Sequence, residues 1–279
     1  MHSKRNRQTH VLLFAGTGEG VSIAMALMHA GRRVSVSVVT AAAARAYSEL
    51  PLEDLHVGPF LSEDALCRHC AAMAVTLVVD ATHPFALRIS SQLRRVCATQ
   101  GLALVRFERP DHAVDPGSLL GRVEDLADCP LGGHRLLLAV GVRQLAAAAH
   151  AARFAGAVVH ARVLPTADAI RQAGAAGLGG EQLAVLRPRT GERPGGLEAA
   201  LCRRWRITDV LCRQSGGAAD ELWSRLARDR SIRLWKLKRP CQSQDVDVVH
   251  TLNQLRCYLD DPGNALATRA HNGGGSAQG

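Results

Sequence analysis

Short apolar runs of four to six residues, each followed by a longer Ala-, Leu- and Arg-rich stretch, recur along most of this chain. Val11–Ala15, Val34–Val39, Leu77–Asp80 and Leu102–Phe107 read as strands, with Val21–Ala30, Glu63–Met73 and Phe85–Thr99 as the helices between them. A second series follows. Leu136–Val140, Val158–Val163, Leu183–Leu186, Asp209–Cys212 and Ile232–Leu237 read as strands, and Gln144–Arg153, Leu197–Arg204 and Ala219–Arg228 as helices. Alternation of this kind predicts an α/β fold with parallel strands and helices on both faces of the sheet.

The two series rhyme. GLALVRFERP ends at Pro110 and SIRLWKLKRP at Pro240, and each closes a short strand with Arg-Pro. Each also follows a strand and a polar cluster, DATHP in one case and CRQSGG in the other. A repeat of this form points to two related α/β halves. The expected break lies in Asp111–Gly133, which holds Pro, Gly and Asp but little apolar periodicity. The expected domains are therefore residues 11–115 and 116–245. Residues 1–10 and 260–279, rich in Gly, Ser, Asn and charge, are expected to be mobile ends.

The net charge of +9 invites a nucleic-acid reading, which the residue types discount. The arginines are scattered rather than striped, and aromatics, the platforms for base stacking, make up only 4% of the chain. A basic surface suits a polyanionic small molecule instead. The 8 cysteines are spread through a long chain with no secretory signal and read as reduced core thiols. No segment approaches the ~18 apolar residues of a membrane span. A cytoplasmic protein with no membrane or nucleic-acid partner is expected, as a monomer or small homo-oligomer.

VLLFAGTGEGVSIAMALMHAG reads as strand, tight turn and helix. Gly16 and Gly18 allow close backbone approach, and the helix start near Glu19 offers N–H groups and a positive dipole end to a phosphate. Thr17 lies between the two glycines. An NAD-binding domain usually carries an acid at the end of its second strand to hold the ribose 2′-hydroxyl. No Asp or Glu occurs between Gly20 and Ser48; Thr40 and Arg45 stand there instead. A hydroxyl and a guanidinium suit a 2′-phosphate, so NADPH is expected over NADH.

VVDATHPFALRIS then packs a carboxylate, a hydroxyl and an imidazole into four residues. Pro84 suits the first turn of a helix, which would make Thr82 or His83 its N-cap. Phe85, Ile89, Leu93 and Val96 give that helix one apolar face. The cluster thus falls at the carboxyl end of a strand, the edge where open α/β sheets bind ligands. A capped helix beside a satisfied buried Asp80 is the plainer alternative.

Together, GTGE after the first strand, DATHPFA with its helix, and RFERP resemble the precorrin-6A reductase family of cobalamin biosynthesis. Weaker likeness appears at VGPFLSEDAL (Val57–Leu66), where the family has a Gly-rich loop, at RVLP (Arg162–Pro165), at RQSGG, and at the second Arg-Pro. The resemblance implies two Rossmann-like domains with parallel sheets and ligands in the cleft between them, the first NADP-binding and the second on the substrate side. It implies NADPH-dependent reduction of one double bond of precorrin-6A, or of its cobalt form, an acidic tetrapyrrole whose carboxylates arginines can clamp. On this basis Gly16, Thr17, Gly18, Glu19, Thr40, Arg45, Gly58, Thr82 and His83 are the expected cofactor contacts. Pro84, Phe85, Arg189, Arg213, Ser215 and Gly216 are the expected substrate contacts. His83 is the candidate catalytic residue, although the helix dipole disfavours its cation, so binding or orienting suits it better than protonation.

Two departures matter. The family's Gly-Pro-Phe stands here as Arg187-Pro188-Arg189, and its Lys-x-Ser-Gly as Arg213-Gln214-Ser215-Gly216. Guanidinium and ammonium are not equivalent ligands. The alternative is therefore a non-catalytic NADP- or tetrapyrrole-binding protein derived from the family. Cys67-Arg-His-Cys70 has metal-like spacing but no second pair, and no metal is expected.

Overall fold

The computed structural model describes residues 9–110, 118–187, 195–240 and 245–260. Arg189 and almost all of the two expected mobile ends lie outside them. The chain divides into two compact units, 1–109 with 240–279, and 110–239. The segment 246–259, which periodicity leaves unassigned, belongs to the first.

In the first unit the elements are β1 (His10–Ala15), α1 (Gly20–His29), β2 (Arg33–Val38), the single turn α2 (Ala41–Ala44), β3 (Asp54–Val57), α3 (Glu63–Ala72), β4 (Leu77–Ala81), α4 (Leu87–Gln100) and β5 (Ala103–Phe107). Then come β6 (Leu119–Leu120), β7 (Arg135–Leu138), α5 (Val142–Phe154), β8 (Val158–Val163), α6 (Ala167–Ala175), β9 (Leu183–Val185), α7 (Gly196–Trp205), β10 (Asp209–Arg213), α8 (Gly217–Arg230) and β11 (Arg233–Leu237) in the second. The chain returns to the first unit for β12 (Asp247–Val249) and α9 (Leu252–Asp260).

The first sheet runs β3-β2-β1-β4-β5-β12 and the second β9-β8-β7-β10-β11-β6, with parallel pairing throughout. Both follow the doubly wound order 3-2-1-4-5-6. Only the sixth position differs in origin. β12 reaches β5 after the chain has built the second unit, whereas β6 pairs with β11 before its own unit's first strand.

All six residues of β1 are buried, because its two faces meet two layers. Val11, Leu13 and Ala15 join Ile23, Ala24 and Leu27 of α1 and Leu255, Tyr258 and Leu259 of α9. Leu12 and Phe14 turn to Leu66 and Cys70 of α3 and to Leu93, Val96 and Cys97 of α4. That two-sided burial produces the unbroken apolar strand seen in the sequence. In the second unit Leu137, Val210 and Cys212 pack on Cys202 and Trp205 of α7 and Leu222, Trp223 and Leu226 of α8. Aromatics are few, so much of α5 is buried through Ala148, Ala149, Ala151 and Ala152.

One local expectation is corrected. α4 begins at Leu87, with Ala86 as an N-cap that makes no side-chain bond, so Pro84 is outside its first turn and neither Thr82 nor His83 caps it. The side chain of Asp80 holds Thr82 through its N–H (3.0 Å) and hydroxyl (2.7 Å), keeping the chain from coiling. His83 to Ala86 then form a turn closed by the Ala86 N–H on the His83 carbonyl (2.7 Å). Pro84 occupies the second position of that turn, where its fixed φ is favourable.

Candidate functional site

Strand order places the site. β1 and β4 are adjacent and parallel, with Ala15 opposite Ala81. Their following loops, Gly16–Glu19 and Thr82–Ala86, therefore emerge side by side where the direction of winding reverses, the switch point at which such sheets bind ligands. Contact is close. The Gly16 N–H donates to the Ala81 carbonyl (3.2 Å), and a Cβ on Gly16 would stand 3.0 Å from the His83 nitrogen and 3.1 Å from the Thr82 Cα. Gly16 thus lets one loop rest on the other. Gly20 serves the packing behind it, since a Cβ there would meet the Tyr47 hydroxyl and Ala15.

Gly18 is different: it is exposed, and a Cβ there would meet nothing within 4 Å. The first turn of α1 carries no acidic residue, and its N-cap makes no side-chain bond. Its leading N–H groups therefore suit a phosphate. The carboxylate of the N-cap residue, Glu19, is paired with Arg109 at 3.6 Å. Beyond β2, Thr40 is exposed and caps α2 by accepting from the Ala43 N–H (3.2 Å), and Arg45 is exposed. Gly58, at φ 119°, follows β3 and donates to the Val38 carbonyl (2.9 Å), which brings it beside the end of β2. Gly16, Thr17, Gly18, Glu19, Thr40, Arg45, Gly58, Thr82 and His83 thus all lie along the carboxyl edge of one sheet. The residues fit a dinucleotide: an open glycine turn, a helix start without a side-chain cap, and no acid between the end of β2 and Ser48.

Under the DATHP loop lies a network that periodicity does not reveal. Arg106 on β5 and Asp80 on β4 are directly opposite in register and form a buried ion pair at 2.8 Å. The same guanidinium nitrogen donates to Thr82 (3.0 Å) and Ser90 (3.2 Å). The Thr82 hydroxyl is therefore committed inward. His83 is half-buried, and its Nδ1 accepts from the Phe85 N–H (3.2 Å), which leaves Nε2 as the protonated nitrogen of the neutral ring. The Phe85 ring lies 5.8 Å from it.

The second unit carries its own loop at the corresponding edge, after β10. The Arg213 guanidinium lies 3.3 Å from where a Cβ on Gly141 would stand, and burial lowers its pKa. Ser215 is buried. Gly216 (φ 63°) and Gly217 (φ 68°) take a left-handed course that side chains disfavour. At the end of β8, Arg162 pairs with the buried Glu198 (3.5 Å). Cys67 and Cys70 share α3, and burial pushes the Cys70 thiol up to about 11. Among the described residues no helix is long and apolar enough to cross a membrane.

Two parallel sheets in this order, one with a glycine turn at its switch point, define a Rossmann-like two-unit α/β protein. A family profile described as precorrin-6x reductase CbiJ/CobK matches residues 10–259, and the chain belongs to that family. The cobalt-precorrin-6A reductase of Synechocystis sp. is 31% identical over 259 residues, covering 88% of this chain and 95% of that one. The precorrin-6A reductase of Rhodobacter capsulatus is 28% identical over 260 residues, covering 91% and 97%. The solved structure of CobK precorrin-6A reductase shares the fold, with a TM-score of 0.70, 23% identity, and coverage of 92% of this chain and 98% of that one.

Proposed function

We propose that this protein is an oxidoreductase of cobalamin biosynthesis that reduces one macrocycle double bond of precorrin-6A, or of its cobalt form, to the 6B product with NADPH. The observation that carries this reading is the junction of the Gly16–Glu19 turn with the Thr82–Ala86 loop at the switch point of a family member's first sheet. NADPH, when bound, supplies the hydride.

The protein's own residues hold and orient. Gly18 and the start of α1 receive the pyrophosphate; Thr40 and Arg45 meet the 2′-phosphate. Thr82 and His83 present backbone and imidazole beside the turn, and His83 binds or orients rather than protonates. Pro84 and Phe85 give the same loop an apolar surface against the macrocycle. Arg213 and the Ser215–Gly216 backbone in the second unit bind substrate carboxylates. A chain with 31 Arg residues among its 34 basic ones is well suited to a polycarboxylate.

The test is an anaerobic spectrophotometric assay with precorrin-6A and its cobalt form, NADPH and NADH being compared in parallel. Oxidation of NADPH coupled to a change in the macrocycle spectrum is expected, with a preference over NADH that Arg45→Ala erodes. Tight NADPH binding without turnover on either tetrapyrrole would instead identify a non-catalytic binder.

A further inference from the structure

The two units place the same three positions in the same relation. Arg106 is the fourth residue of β5 and Lys236 the fourth of β11. Asp80 is the fourth of β4 and Cys212 the fourth of β10, and the registers pair Asp80 with Arg106 and Cys212 with Lys236. Ser90 and Asp220 are the fourth residues of the 14-residue helices α4 and α8. Each unit thus buries a cation on its fifth strand beneath the loop that follows its fourth. The carboxylate that answers it has changed element, from the strand in the first unit to the helix in the second.

What the carboxylate does besides is common to both. Asp80 accepts the Thr82 N–H at 3.0 Å and is paired to Arg106 at 2.8 Å. Asp220 accepts the Gly216 N–H at 3.0 Å and is paired to Lys236 at 2.5 Å. Lys236 and Asp220 are at most 1% exposed, so neither touches a ligand directly. Two buried charges are a costly way to fill a core that apolar side chains would fill as well. Their position explains them better: Gly216 and Gly217 both have positive φ, and a loop of that kind needs an external tether to keep one shape.

We infer that Lys236 and Asp220 are positioning residues for the tetrapyrrole. Lys236 holds Asp220 in place, and Asp220 fixes the Gly216 backbone so that Arg213, Ser215 and Gly216 present one carboxylate-binding surface. The inference rests on the proposed substrate role of that loop.

Three forms of the full-length protein test it: wild type, Lys236→Met with Asp220→Leu, and Lys236→Met with Asp220→Asn. The Met/Leu pair removes both charges and the acceptor for Gly216. The Met/Asn pair removes the charges but keeps an oxygen for that N–H. Hydrogen exchange of peptides spanning residues 213–218 is expected to accelerate about tenfold or more in the Met/Leu form, as for loss of a hydrogen bond to a charged group. Peptides from β7 and β8 should be unchanged, the KM for precorrin-6A should rise about as much, and that for NADPH should stay within about twofold. The Met/Asn form should return exchange and KM toward wild type. Unchanged exchange and KM in the Met/Leu form would overturn the inference. So would failure of Met/Asn to rescue, or exchange rising throughout residues 110–239, which would make the pair a core element. If the wild type reduces no tetrapyrrole, the functional reading fails, while the exchange experiment still decides whether the tether exists.

Discussion

Two glycines two residues apart should respond to the same substitution in opposite ways. At Gly16 a Cβ would lie 3.0 Å from the His83 nitrogen and 3.1 Å from the Thr82 Cα, both backbone atoms on a loop pinned by Asp80. Neither can swing aside like a side-chain end, so Gly16→Ala must part the two loops and stretch the 3.2 Å bond from Gly16 to Ala81. Overpacking of this kind costs about 1–3 kcal/mol. For a unit of this size, that lowers the unfolding midpoint by roughly 2–4 °C per kcal/mol. Gly18→Ala meets no protein atom within 4 Å and should leave the midpoint of the free protein unchanged. If a dinucleotide backbone passes there, however, the methyl group occupies its path, and NADPH affinity should fall about tenfold or more. The assay is thermal unfolding with and without saturating NADPH, alongside equilibrium titration of the cofactor. The reasoning is refuted if Gly16→Ala is as stable as wild type, or if Gly18→Ala binds NADPH normally.

Replacing Arg106 by Met leaves the Asp80 carboxylate buried without its cation and should destabilise the protein by about 3–5 kcal/mol, read from urea denaturation. Burial pushes the Cys70 and Cys202 thiols up to about 11 and those of Cys97 and Cys212 up to about 12. Iodoacetamide at pH 8 should therefore spare these four while modifying the exposed Cys257, as mass spectrometry would show. The same shifts set an alkaline limit. Above the ordinary value of 9.0 the unfolded chain loses these protons first, so stability should fall as pH rises from 9 toward 12, and Cys212→Ala should flatten the decline. His160, stacked on Trp205 at 4.7 Å, has its pKa lowered by burial and then by Arg135. The unfolded chain gains this proton first as pH falls below 6.5, so His160→Phe should retain the stack and weaken the acid-side loss of stability.

How legible the fold was depended on which residues do the burying. Strands covered on both faces, such as VLLFA and LVVD, are apolar without interruption and were plain. β3, with the sequence DLHV, lies at the sheet edge, half-exposed, and its Asp and His hide it. α6 turns only Ala169 and Ala173 inward, and alanine carries too weak an apolar signal to mark a helical face. β6 is two residues long and β12 three. Their strand character comes from partners far away in sequence, β11 and β5, which no local window contains.

The site was legible in its outer part and hidden in its support. GTGE and DATHP stand out because each packs unusual residue types into a short span at the end of a strand. The helix start is ambiguous in the sequence because Pro84 fits the second position of a turn as well as it fits a helix's first turn, and the bonds from Thr82 to Asp80 decide between them. Arg106 and Lys236 stand at the same position of GLALVRFERP and SIRLWKLKRP, each a cation one apolar residue before the closing polar residues. What concealed their role was the carboxylate. One half takes it from the strand and the other from the helix, so matching the halves letter by letter sets Asp80 against Cys212 and Ser90 against Asp220 and finds no acid in common. A buried ion pair needs a charge that reaches the site, whichever element supplies it, so the two units share the chemistry of that space without sharing the positions that fill it.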